Sequence, residues 1–173
     1  MDGRYHVYTH RQGLCLPGSH TGCLFTQVIG YTISDSLDGS ITLKALKMAI
    51  VSRNPGTGVI HHSDRGTQYA ALEYTGTLKE HGFRISMSGK GSPYDTATME
   101  SFFKTLKQEE VYISDYQTIT DVKTNLPHFI EQVYNLKRLH SPLGYRSPVW
   151  FEEQIQLKKE VPRQAVLTCS VQP

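Results

Sequence analysis

Residues 59–69 read Val59-Ile60-His61-His62-Ser63-Asp64-Arg65-Gly66-Thr67-Gln68-Tyr69. An apolar start gives way to Ser, Asp and Gly, so a short strand over 59–62 runs into a loop at 63–66. Ligand sites in α/β sheets gather just past the carboxyl ends of strands, which makes Asp64 the first candidate functional residue.

Strand and helix alternate outward from this point. Upstream, Val28-Ile29-Gly30-Tyr31-Thr32-Ile33-Ser34 has period two, with Ile29, Tyr31 and Ile33 on one face. Asp38-Gly39-Ser40 is turn chemistry, and Ser40 is placed to cap a helix running to about Val51. Leu43, Leu46, Lys47 and Ile50 fall at helical spacing there, before Asn54-Pro55-Gly56-Thr57-Gly58 breaks the chain.

Downstream, a helix over 69–81 presents Ala71, Tyr74, Thr75 and Leu78, with Gly82 as its stop. Residues 83–87 alternate as a strand and 88–93 read as loop. A third helix over 96–109 carries Met99, Phe102, Phe103 and Leu106 at i, i+3, i+4 and i+7. A fourth over 120–138 carries Val122, Leu126, Phe129, Ile130 and Val133, and Pro127 should kink it or mark its first turn. Alternating elements of this kind predict an α/β layered domain.

Length and composition agree with one domain. The chain has 173 residues, 38% of them apolar and 20% charged, with a net charge of +2. Disorder is disfavoured at that balance, and no apolar run reaches the ~18 residues of a membrane helix. No leader is expected at the start of the chain. Cys15, Cys23 and Cys169 are an odd count and too few for a disulfide scaffold, so the expected compartment is the reducing cytoplasm. Residues 1–60 hold five Lys/Arg against three Asp/Glu, whereas residues 61–150 hold ten of each. The middle of the chain is thus neutral and dense in both signs.

Within that middle, Glu100 falls near the start of the third helix, with Lys104 and Lys107 at i+4 and i+7 beside the apolar stripe. A carboxylate pair that holds Mg²⁺ next to lysines that hold phosphates is the layout needed for phosphodiester chemistry. A solvated helix face with one Glu–Lys pair, worth ~0.3–0.5 kcal/mol, is the plain alternative.

Longer motifs decide between them. His61–Tyr69, Ser86-Met87-Ser88-Gly89-Lys90-Gly91, Tyr94-Asp95-Thr96-Ala97 and Met99-Glu100-Ser101-Phe102-Phe103 closely resemble bacterial insertion-sequence transposases whose catalytic core is similar to retroviral integrase. The later run Tyr134-Asn135, Arg138, His140-Ser141 and Leu143-Gly144-Tyr145-Arg146-Ser147-Pro148 is similar to that family's ending. The resemblance implies an RNase H-like core, a mixed sheet flanked by helices, with a D, D, E metal triad. Asp64 maps to the second acid and Glu100 to the third.

It also implies joining of a DNA 3′ hydroxyl to a target phosphodiester with two Mg²⁺ or Mn²⁺ ions. Lys90, Lys104, Lys107, Arg65, Arg138 and Arg146 would contact DNA, chiefly its phosphates. The implied partners are transposon ends and target DNA, together with further copies of the chain or an intact transposase. Gly89 stands where the family usually has a basic residue, Thr96 where it has Asn, and Leu136 and Leu139 where arginines are common.

Residues 1–27 do not fit. They show no period of 2 or 3.6 and read as loop, and the family's first Asp is absent, Asp2 being the only acid before Asp35. Gly3 to Tyr8 can be encoded by GGG CGA TAT CAC GTA TAT, which one nucleotide along gives Gly-Asp-Ile-Thr-Tyr-Ile, the family's first acidic strand. Cys15 to Phe25 can be encoded so that the same offset gives Val-Tyr-Leu-Ala-Val-Ile-Leu-Asp-Val-Tyr, its second strand. Residues from about 3 to 26 are therefore expected to be out of frame, with the first two strands missing or scrambled and catalysis impaired.

Taken at face value, His6, His10, Cys15, His20 and Cys23 could instead form a zinc module, although only His6/His10 has a usual ligand spacing. The expected organisation is an atypical segment at 1–27, a core at 28–155 and a tail at 156–173. A non-catalytic remnant that binds DNA or inhibits an intact transposase, and an active enzyme that recruits Asp2, are the other functional classes.

Overall fold

A computed structural model describes residues 6–14, 24–35, 40–63, 66–87 and 93–160, with side chains placed over 27–35, 40–63, 66–87 and 100–157. Strand β1 (His6–Leu14) pairs antiparallel with β2 (Leu24–Ser34), from His6 opposite Ser34 to Leu14 opposite Leu24. This corrects the reading as loop over 6–14 and 24–27, the rest of 1–27 lying outside the described residues. Val7, Tyr8 and Thr9 favour extended backbone, and strand pairing uses main-chain groups, which demand no regular side-chain period. The ladder slips at His10/Arg11 and at Gln12/Gly13, where β2 holds one extra residue each time, Ile29 and Thr26. On β1, His6 and His10 stand about 13 Å apart along the extended chain.

Helix α1 (Ser40–Arg53) follows and packs on β2. Its expected stripe is buried through Leu43 and Leu46, joined by Ile41, Ala45 and Ala49. The approach is close at Gly30, where a Cβ would lie 2.3 Å from the Ala45 carbonyl oxygen. Strand β3 (Ile60–Ser63) pairs parallel with β4 (Arg84–Met87), Ile60 facing Arg84 and Ser63 facing Met87. The connection is helical but broken. Instead of one helix over 69–81 there are α2 (Thr67–Ala70) and α3 (Leu72–Glu80), separated by Ala71 at ψ 140°. Tyr74 and Leu78 are buried as expected, and Gly82 ends the segment at φ +70°. Among the described residues the strands form two separate pairs, one antiparallel and one parallel.

The remaining chain is helical. Helix α4 (Pro93–Leu106) passes without a break into a π-helical turn at Lys107–Val111 and then α5 (Tyr112–Ser114), so the helical run is longer than the sequence suggests. Thr118 caps α6 (Ile119–His128): its Oγ1 accepts from the Asp121 N–H at 3.2 Å, and its own N–H donates to the Asp121 carboxylate at 2.9 Å. Those bonds hold the exposed Asp121 carboxyl below the usual range.

Pro127 lies inside α6, not in its first turn, and π-helical winding begins two residues later at Phe129–Asn135. The missing Pro127 N–H and the ring's clash with the preceding turn are a sufficient reason for the ladder to change pitch there. A 3₁₀ turn at Ser141–Leu143 leads to α7 (Pro148–Glu160), which starts with proline at its first position.

Two apolar clusters hold these layers together. Phe102, Leu106, Val122, Leu126, Phe129, Ile130 and Tyr134 pack with Val28 of β2 in one, and Leu43, Leu46, Tyr74 and Leu78 in the other. The buried Asn135 clasps β2 edge-on: its Oδ1 accepts from the Val28 N–H at 3.0 Å and its Nδ2 donates to the Val28 carbonyl at 2.9 Å. Tyr31 of β2 donates to Glu131 at 2.7 Å, and Arg53 of α1 pairs with Glu152 of α7 at 2.6 Å.

Candidate active site

The parallel pair β3/β4 brings two strand ends to one edge. Ser63 and Met87 are register partners and the last residues of their strands. Asp64 and Arg65 follow Ser63 directly, and Lys90 lies three positions after Met87. All three fall outside the described residues.

The strands behind them are tied side chain to side chain. His62 Nδ1 and Ser86 Oγ are 3.0 Å apart across the pair, and His61 Nε2 is 3.0 Å from the Tyr74 hydroxyl of α3. The His61 ring also meets Tyr74 edge-on, with centroids 5.7 Å apart. Burial, with His62 adding, lowers the His61 pKa to about 4, so the ring is neutral at pH 7. Burial also pushes the Tyr74 hydroxyl up.

Glu100 lies on α4 with its side chain exposed, and Lys104, one turn on, is exposed as well. Phe102 and Leu106 on the same helix are fully buried, so the apolar stripe turns inward and leaves Glu100 and Lys104 facing solvent. Lys107 is half-buried and opens the π turn, which changes the winding at its position. Among the described residues no group of three His, Cys, Asp or Glu is gathered to hold a metal. The candidate ligands Asp64 and Glu100 are both carboxylates, the hard oxygen donors that suit Mg²⁺ or Mn²⁺.

The two tail arginines differ. Arg138 grips Glu109 with a forked contact, Nη2 at 2.7 Å from one oxygen and Nε at 2.9 Å from the other. This pair ties the first π turn to the end of the second, and the carboxylate raises the Arg138 pKa. Arg146 is exposed and stands over the Trp150 ring, 4.8 Å from its centroid.

The motif around Tyr134 has structural work that spacing did not reveal. Tyr134 is buried between Phe102 of α4, at 5.0 Å, and His140, at 4.9 Å, so it seats the helix that carries Glu100. Asn135 clasps β2. A polar residue directly after the apolar spacing of 126–134 was the signal available for it.

Residues 26–93 match a family model described as integrase core domain, and residues 81–148 match a second model of the same description. The chain therefore belongs to the integrase core domain family and has its RNase H-like α/β fold. Within the family it groups with insertion-sequence transposases.

It is 38% identical over 127 residues to the Lactococcus lactis transposase for insertion sequence element IS904, covering 73% of this chain and 50% of that protein. It is 40% identical over 128 residues to the uncharacterized 31 kDa protein of insertion element IS600 from Shigella sonnei, covering 74% and 47%. Against the Escherichia coli transposase InsF for insertion sequence IS3fB the figures are 39% over 127 residues, 73% and 44%. The chain thus spans about half the length of these relatives.

Among solved structures, the catalytic core domain of BIV integrase superposes with a TM-score of 0.52 at 17% identity, covering 80% of this chain and 88% of that one. The simian T-cell lymphotropic virus intasome gives 0.54 at 11% identity, covering 98% and 58%. Identities this low speak to the fold. No helix among the described residues is long and apolar enough to cross a membrane.

Proposed function

We propose that this chain is the catalytic-core portion of an insertion-sequence transposase, built for DNA strand transfer and impaired by loss of its first acidic strand. The observation that carries this reading is the integrase core match over 26–148, which spans the end of β3 before Asp64 and the exposed Glu100 of α4. Asp64 and Glu100 would hold Mg²⁺ or Mn²⁺, which supplies charge neutralisation at the reacting phosphodiester and a more acidic attacking hydroxyl. Lys90, Lys104, Lys107, Arg65 and Arg146 would hold phosphates in register. Arg138, already engaged by Glu109, would serve mainly to join the two π turns. The His62–Ser86 and His61–Tyr74 contacts would keep the end of β3, just before Asp64, in place.

The domain assignment follows the same division: an out-of-frame segment over 1–27, the core over 28–155 and a tail over 156–173. With the first acid gone, two carboxylates bind the cation weakly, and joining falls to background. The chain would then act through DNA or through assembly with an intact transposase.

The test is strand joining of oligonucleotide substrates in Mg²⁺ or Mn²⁺. The chain as it stands should show no joining. The chain with residues 4–8 replaced by Asp-Ile-Thr-Tyr-Ile should recover some, and lose it again on Asp64→Asn or Glu100→Gln. Joining by the unaltered chain that is abolished by Asp2→Asn would refute the impairment. Full activity of the Asp64→Asn and Glu100→Gln chains would refute the site.

A further inference from the structure

The corner where the second π turn gives way to α7 has a surface of which the proposed function uses only Arg146. Residues 132–151 include Lys137, Arg138 and Arg146 but no Asp or Glu. Glu109 takes up the charge of Arg138, which leaves Lys137 and Arg146 facing solvent. Tyr145, next to Arg146 in the chain, is 68% exposed, and Trp150, on whose ring Arg146 stands, is 43% exposed. Aromatic side chains of this size are ordinarily withdrawn from water.

The backbone presents Tyr145 at a cost. Gly144 and Tyr145 are consecutive left-handed residues, at φ 64° and 56°, and only the first is a glycine. A bulky L-residue avoids that region, and such conformations persist where the surroundings over-determine them. Here they do. The His140 N–H donates to the Arg146 carbonyl at 3.1 Å, and the His140 carbonyl accepts from Leu143 and Tyr145, both at 3.0 Å. The His140 ring is in turn seated on the buried Tyr134. The loop is therefore rigid and holds an aromatic ring outward.

A cation stacked on an indole and a second exposed aromatic ring suit a polyanion whose flat faces are open. Duplex DNA hides its base faces, and a lone phosphate has no use for the rings. A single strand offers both phosphates and bases. We propose that Tyr145, Arg146 and Trp150 form a stacking platform for the unpaired bases of single-stranded nucleic acid, with Lys137 and Arg146 meeting its phosphates. The platform extends the nucleic-acid part of the proposed function and is independent of Asp64 and Glu100.

Trp150 is the only tryptophan in the chain, so its emission reports on this site alone. Full-length protein is titrated with oligothymidylate, oligouridylate and a duplex, and tryptophan emission is read together with anisotropy of the labelled strand. Saturable quenching by oligothymidylate, weakening as salt rises, is the expected result. Matching quenching by oligouridylate supports a platform indifferent to the sugar. Tyr145→Gly should weaken binding roughly five- to a hundredfold while leaving the melting temperature equal or higher, because glycine removes the left-handed strain. Arg146→Lys, which keeps the charge and loses the planar stack, should weaken it too.

Binding seen by anisotropy with unchanged emission would place the strand elsewhere and overturn the platform. So would duplex quenching as strong as single-strand quenching, no binding by either readout, or an emission blue shift that grows with protein concentration alone and marks a face for a second copy. Failure of the joining assay with quenching intact removes the catalytic reading and leaves the platform standing.

Discussion

Acidification should destabilise this protein through His61 in particular. The ring is held in β3 against the Tyr74 hydroxyl, and burial lowers its pKa to about 4. In the unfolded chain an imidazole titrates near 6.5. Between those values the unfolded chain holds the proton and the folded chain does not, so unfolding free energy rises with pH across the window.

The stabilisation is complete above pH 6.5 and is lost as pH falls towards 4. A gap of ~2.5 pH units corresponds to about 3 kcal/mol in all, and to about 1.4 kcal/mol at pH 5.5. That is a large share of the ~5–15 kcal/mol that holds a typical domain together. Urea unfolding at pH 7.5, 6.5, 5.5 and 4.5 measures it, with His61→Gln as the comparison, since glutamine can still reach the Tyr74 hydroxyl and carries no titrating group. The variant should start less stable or equal at pH 7.5 and lose about 1 kcal/mol less than wild type by pH 5.5. Parallel decline of the two proteins would refute the assignment of the acid sensitivity to His61.

Two further substitutions test the packing. Asn135→Ala removes both bonds to Val28 and strands a buried N–H and carbonyl, which should cost about 2–4 kcal/mol in chemical denaturation; a loss below about 1 kcal/mol would contradict the clasp. Gly30→Ala drives a Cβ to 2.3 Å from the Ala45 carbonyl oxygen and should cost about 1–3 kcal/mol, read as a fall in melting temperature of roughly 2–12 °C; an unchanged value would mean that α1 does not ride so close to β2.

The layered α/β plan was legible because the periodic signals were local. The stripe of Leu43 and Leu46 and the stripe from Val122 to Ile130 each report burial that the fold then uses, whereas the period two over 28–34 gives the strand but not its burial, since only Val28 and Gly30 are buried there. The same local signal left Glu100 and Lys104 on the open face of α4. What escaped was non-local or insensitive to side-chain pattern.

Strand β1 lacks a period because main-chain pairing with β2 holds it. The π turns at 107–111 and 129–135 are invisible to apolar spacing, which differs little between the two windings over so few residues. The break at Ala71 carries no proline or glycine to announce it. The forked pairing of Arg138 with Glu109 gave no local signal because the two stand 29 positions apart in the chain. Asp64 was proposed from motif and strand end, and Glu100 from motif and helix face, two independent lines of reasoning.

The clasp between Asn135 and Val28 also sets an order of events during synthesis. The two residues are 107 positions apart, so at ~5–20 residues per second the ribosome makes Val28 roughly 5–20 s before the side chain that closes on it. For that interval the nascent β2 carries an open edge, the feature by which strands recruit the wrong neighbours. Any message that stops before codon 135 yields chains in which the wait never ends, and their fate is set by proteases and by one another.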